Sequence, residues 1–124
     1  MTLTPELALA YLKELSADYR AGVVLDAAGT VLAGVESLAA PARELWRRAA
    51  VGSVCEGVAR DGRVFAYRTP TLAIVVATGP FALPGLTRHD LRTVAAALGA
   101  ESAQETPVQR IPHDYVEALL NAAN

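Results

Sequence analysis

Two histidines, a single cysteine and an arginine cluster at Arg43, Arg47 and Arg48 are the residues of this 124-residue chain best suited by type to do chemistry. A histidine works as a general base when a serine or cysteine nucleophile stands at a recognisable spacing from it. Neither His89 nor His113 has such a partner in sequence. His89 falls in the first turn of a predicted helix and His113 in the C-terminal tail, so both read as exposed side chains. Cys55 lies in a predicted strand with no cationic neighbour to lower its pKa, which makes it a buried, inert thiol. One cysteine forms no internal disulfide, and with two histidines it supplies no thiolate zinc site. Asp26 and Asp61 stand at turn positions that aspartate favours for its own backbone hydrogen bonds. No GxxxxGK[ST] or GxGxxG pattern occurs, so a phosphate cradle is not encoded in a readable form. The expectation is a non-enzyme: no catalytic residue, no metal site and no cofactor. A small hydrolase ranks last because the triad or metal set it needs is missing.

The arginines belong to the stretch Ser37 to Gly52, SLAAPARELWRRAAVG, which also holds the only tryptophan. Leu38, Ala42, Leu45, Trp46 and Ala49 fall at i, i+4, i+7, i+8 and i+11 and share one side of a helix. Arg43, Glu44, Arg47 and Arg48 take the other. Ser37 is positioned as N-cap, with regular helix beginning there or only at Pro41. One arginine could reach a partner's phosphate site as an arginine finger does. The alternative is an ordinary solvated ion-pair face, since Arg47 and Arg48 stand three and four residues after Glu44. Trp46 is equally open, either as core against a sheet or as an interface anchor.

The remaining elements position this helix. Thr4-Pro5 starts a helix to about Ser16, with Leu7, Tyr11 and Leu15 inward beside Ala8 and Leu12, and Leu3 stapled across the cap. Ala21 to Asp26 and Thr30 to Val35 form a hairpin in which Gly29 takes a positive φ. The run Val23-Val24-Leu25 predicts a strand covered on both faces. After the central helix, Ser53 to Arg60 and Arg63 to Thr69 flank Asp61-Gly62, the strongest hairpin turn in the chain because both central positions tolerate a positive φ. Thr71 to Thr78 is a continuously apolar central strand ended by Gly79-Pro80. Leu83 to Leu86 is a turn, and Thr87 to Asp90 caps a helix that presents Leu91, Val94, Ala95 and Leu98 inward and ends at Gly99. Ala100 to Pro107 is polar and unpatterned, and Ile111 to Leu120 forms a short helix starting near Pro112. Tyr115, Leu119 and either Val116 or Ala118 face inward there.

Length allows one domain with a single core. Hydrophobic content of 52% is high for a soluble chain, much of it alanine in helical segments, a surface that oligomers cover. A net charge of -2, with no basic stripe, argues against nucleic acid. The longest apolar run, Leu72 to Ala77, is far short of the roughly 20 residues that span a bilayer. The N-terminus lacks a basic n-region and a cleavage site, so a cytoplasmic location without membrane insertion is expected.

The hairpin AGVVLDAAGTVLAG, the charged helix after it and the meander SVCEGVARDGRVFAYRTPTLAIVVATG give the order α-β-β-α-β-β-β-α. This order resembles the roadblock/dynein light chain domain, of profilin-like architecture, over about Thr4 to Gly99. The resemblance implies an α+β fold, a five-stranded antiparallel sheet with one helix on one face and two on the other, over residues 1–100. Residues 101–124 exceed the minimal domain and form a linker and a short helical tail. It further implies a non-enzymatic scaffold that pairs with itself or with a paralogous chain, through paired central helices and third strands that extend one sheet. Its partners would be small Ras-like GTPases or motility and motor complexes. Carried onto this chain, the implied dimer or partner surface is Arg43, Trp46, Arg47 and Ala50 with Val54, Glu56 and Val58. The competing expectation is a ligand-sensing domain of profilin-like architecture with a pocket between sheet and helix, which needs convergent inward polar groups.

Overall fold

The computed structural model describes residues 3–16, 18–48, 54–99 and 108–123. In chain order these form α1 (Pro5–Leu15), β1 (Tyr19–Asp26), β2 (Val31–Gly34), a 3-10 turn (Glu36–Leu38), α2 (Ala39–Arg48), β3 (Val54–Ala59), β4 (Gly62–Arg68), β5 (Leu72–Thr78), α3 (Pro84–Ala97), β6 (Gln109–Arg110) and α4 (His113–Ala123). The sheet runs β2-β1-β5-β4-β3-β6. All pairings are antiparallel except the last, in which β6 lies parallel to β3 through Cys55↔Gln109 and Glu56↔Arg110. The expected five-stranded antiparallel sheet is therefore corrected to six strands, the sixth supplied by the tail.

Two apolar layers sandwich the sheet. Ala8, Leu9 and Leu12 of α1 and Leu91, Val94 and Ala95 of α3 pack with Val24, Phe65, Tyr67 and Ile74 on one face. Leu38, Ala42 and Leu45 from the α2 region and Val116, Leu119 and Leu120 of α4 pack with Val23, Val64, Ala66 and Val75 on the other. The one-and-two arrangement of helices is thus corrected to two and two, because α4 shares the face of α2. The alternation of Phe65 and Tyr67 against Val64 and Ala66 is the period-2 pattern of a strand covered on both sides. β5 is buried along its whole length, as an unbroken apolar run between two helical layers must be.

Local chemistry accounts for most boundaries. Thr4 caps α1 by accepting from Leu7 N, and Pro5 follows where its missing N–H costs nothing. Asp26 Oδ1 accepts from Ala28 N and Thr30 N, each at 2.9 Å, and Gly29 adopts φ +85° to close the first hairpin. Gly99 ends α3 with φ +73°.

Other expectations shift. α1 buries Ala8, Leu9 and Leu12, while Leu7, Tyr11 and Leu15 are exposed. The side chain of Leu9 nests over Gly22 and Gly34, so the bare backbone of the hairpin selects which side of the helix docks. The second hairpin turns at Arg60-Asp61, with Ala59 paired to Gly62 and no described non-glycine residue at positive φ. Gly62 instead opens β4, where a Cβ would collide with the Thr78 carbonyl. α2 starts at Ala39, and Ser37 donates its hydroxyl to the Ala122 carbonyl at 2.8 Å rather than capping. α3 begins at Pro84, three residues before Thr87, whose hydroxyl donates back to the Leu83 carbonyl at 3.0 Å. Val116, not Ala118, is the inward residue of α4.

Candidate partner-binding surface

The polar side of α2 is largely engaged within the chain. Arg43 donates Nε to the Gly29 carbonyl at 2.7 Å, which fastens the helix to the first hairpin. Arg47 and Glu44 form an exposed pair at 3.3 Å, a contact that contributes little in water. Arg68 of β4 lays its guanidinium 4.7 Å from the centre of the Trp46 ring and donates to the Trp46 carbonyl at 3.1 Å. The Trp46 indole is half-buried, with Nε1 lacking a hydrogen-bond partner among the described residues. Ala49, Ala50 and the side chain of Arg48 lie outside the described residues.

The strand half of the expected surface points the other way. Val54 is fully buried in the layer shared with α1 and α3. Two residues on, Glu56 accepts from Arg88 Nη1 of α3 at 2.6 Å, a short charge-assisted bond in a partly buried setting. Val58, at the end of this row, is exposed. The fold therefore brings Arg43, Trp46 and Arg47 together on one face of the sheet and Val54, Glu56 and Val58 on the opposite face, joined only around the β3 edge. β6 occupies part of that edge, where Ile111 N also donates to the Glu56 carbonyl at 2.9 Å. Gly57 permits this, since a Cβ there would strike Val116 and Ile111. A glycine inside a strand pattern is a signal of close approach, and at Gly57 the sequence reading passed over it.

Candidate chemistry stays dispersed. His89 is exposed, 3.5 Å from Asp90 Oδ1, and falls in the second turn of α3 because that helix starts early. His113 pairs with Glu117 at 3.0 Å on the surface of α4. Cys55 is buried, with Sγ 3.7 Å from Gln109 Oε1. No group of three metal-ligating side chains occurs among the described residues. The buried threonines are occupied locally: Thr69 bonds to Leu72, and Thr78 donates to the Gly79 carbonyl. No described helix is long and apolar enough to cross a membrane.

Comparison with solved structures places this architecture. A Roadblock/LC7 domain from Streptomyces avermitilis superposes with a TM-score of 0.67 at 12% identity, over 76% of this chain and 93% of that one. The fold is that of a Roadblock/LC7 domain. Two MglB structures share the roadblock fold, each over 73% of this chain and 82% of theirs. One is described as having a tetrameric arrangement (TM-score 0.57, 15% identity), and the other is the gliding protein MglB from Thermus thermophilus (0.56, 16%). No family model and no curated protein matches the sequence. The roadblock likeness thus rests on the course of the backbone.

Proposed function

We propose that this chain is a non-enzymatic, dimeric scaffold of the roadblock fold that regulates a small Ras-like GTPase, or a related signalling or motility complex, in the cytoplasm. The observation that carries this reading is the shared course of the chain with MglB, a gliding protein, over about three-quarters of the molecule. The partner is either a second copy or a paralogous chain. The dimer surface is the flank of α2 that carries Arg43, Trp46 and Arg47, continued around the edge of β3 by Glu56 and Val58. Only two residue pairs hold β6 on β3, so an incoming strand replaces few hydrogen bonds there or pairs beyond them, near Val58. Arg68 stacked on Trp46 provides a preformed, rigid aromatic-arginine patch of the kind that anchors interfaces.

Light scattering should give about twice the 13.0 kDa chain mass. Val58 is already exposed, so Val58→Asp leaves the monomer intact and is expected to raise the dimer dissociation constant about tenfold or more. Trp46→Asp should do the same with a larger loss of stability. A clean monomer at high concentration, or a dimer indifferent to both changes, sinks this surface. Capture of a small GTPase in only one of its nucleotide states would support the regulatory half of the reading, and equal failure in both states would count against it.

A further inference from the structure

The face of the molecule opposite α2 carries an apolar seam that nothing in the described chain covers. Leu7, Tyr11 and Leu15 recur every four residues along the outer side of α1, and all three are exposed. The loop between β5 and α3 adds Phe81, 84% exposed, and Leu83, 66% exposed, with Leu86 following in the first turn of α3. Leu15, Phe81, Leu83 and Leu86 together line an open groove of ≈ 180 Å³. Farther along the seam, Tyr11 of α1 and Thr93 and Ala97 of α3 line a second concavity of ≈ 200 Å³. Six of the described large apolar side chains that face solvent therefore lie on this one side, a concentration that single scattered residues would not produce.

The charges lining the first groove have one sign. The charged residues lining the first groove are Asp18 and Asp90, and no lysine or arginine lines it. Asp18 Oδ2 accepts from Phe81 N at 2.6 Å, which holds the loop in place, and no described cation pairs with it. Glu14, three residues after Tyr11, is an exposed carboxylate on the same side of α1, while Asp18 is half-buried and Asp90 is buried with Oδ1 3.5 Å from His89. The arginine nearest in sequence, Arg88, is turned away to Glu56. A second copy docking here would set carboxylate against carboxylate, and an anionic lipid surface would be repelled in the same way.

We propose that the α1–α3 seam is a docking groove for a cationic amphipathic helix of another protein. Its apolar residues, at spacings of three and four, seat against Leu15, Leu83 and Leu86, and its lysines or arginines meet Glu14 and Asp18. This is helix-in-groove recognition, in which apolar anchors give affinity and the charged rim gives orientation. The groove lies across the sheet from α2 and its lining shares no residue with the proposed dimer surface, so one molecule can hold two partners.

The test is a selection of helical peptides from a randomised display library against the full chain, followed by anisotropy titration of the synthesised winners. Enriched peptides should carry net positive charge and apolar residues at helical spacing. They should lose affinity about tenfold on Phe81→Ser and on Glu14→Lys, two changes at exposed positions, and weaken as salt screens the rim. The proposal is overturned if no peptide is enriched, if the winners are acidic, or if they bind both variants unchanged. It is also overturned if Phe81→Ser alters the oligomeric mass, which would make the seam a contact between copies, or if phosphatidylglycerol vesicles bind the chain and lose it on that change.

Discussion

Tyr19 shows how far a single side chain's surroundings set its chemistry. Its ring packs on the edge of the α1–α3 layer, and burial raises its pKa above the ordinary phenol value of 10.0. The sign of the consequence follows from which state holds the proton. Above pH 10 the unfolded chain gives up this proton while the folded chain keeps it, so stability is intact below pH 10 and falls as pH rises towards the folded-state pKa. Ultraviolet titration of the native protein should show a late-ionising step from Tyr19. Tyr19→Phe should remove that late step and flatten the alkaline loss of stability; an alkaline titration that the substitution leaves unchanged would contradict the assignment. Asp26 is the opposite case, a residue whose role was readable from its type. It stands at the turn and accepts the two backbone N–H groups that an aspartate there is suited to bind.

At the scale of elements, types and order were legible and faces were not always so. The hairpins, the central helix, the buried strands and α3 all follow from apolar period and turn chemistry. In α1 the row Leu7, Tyr11 and Leu15, four residues apart, reads as core with Ala8 and Leu12 beside it, whereas the buried side is Ala8, Leu9 and Leu12. The deciding feature is the shape of the sheet opposite, where Gly22 and Gly34 leave a hollow that Leu9 fills, and no local pattern on the helix reports that. β6 escaped for a different reason, since two exposed residues carry no period at all. Its position is recorded in Gly57, the residue on which the tail closes. Gly57→Val should drive the new side chain into Val116 and Ile111 and cost about 1–3 kcal/mol by overpacking. A fall in Tm is the readout, and an unchanged Tm would mean that the tail does not sit against β3. The candidate site was legible only in part. The α2 residues were found because a charged helix with a lone tryptophan is conspicuous, whereas the direction of Val54 and Glu56 depends on sheet register.

For the molecule as a whole, α4 changes the role expected of residues beyond the minimal domain. Ile111, Val116, Leu119 and Leu120 are all buried in the layer beneath α2. Each such side chain is worth about 1.5–3 kcal/mol when withdrawn from water, so together they rival the total stability of a typical domain, about 5–15 kcal/mol. Truncation after Gly99 should therefore yield an aggregating or unfolded chain, judged by loss of a cooperative thermal transition and by dye binding to exposed apolar surface. A truncated chain that keeps its transition within a few degrees would show that α4 is an accessory.

The sheet order also sets the sequence of events during synthesis. β5 is hydrogen-bonded to β1 on one side and β4 on the other, yet it is the last of the five long strands to be made. Tyr19 meets Thr78 only after both hairpins and α2 have left the ribosome, and α4 arrives later still. Until then each hairpin presents an open, apolar edge to the cell, the exposure from which misassembly of nascent chains begins. Slowing translation once Thr78 has emerged from the ribosome should favour correct assembly more than slowing it before.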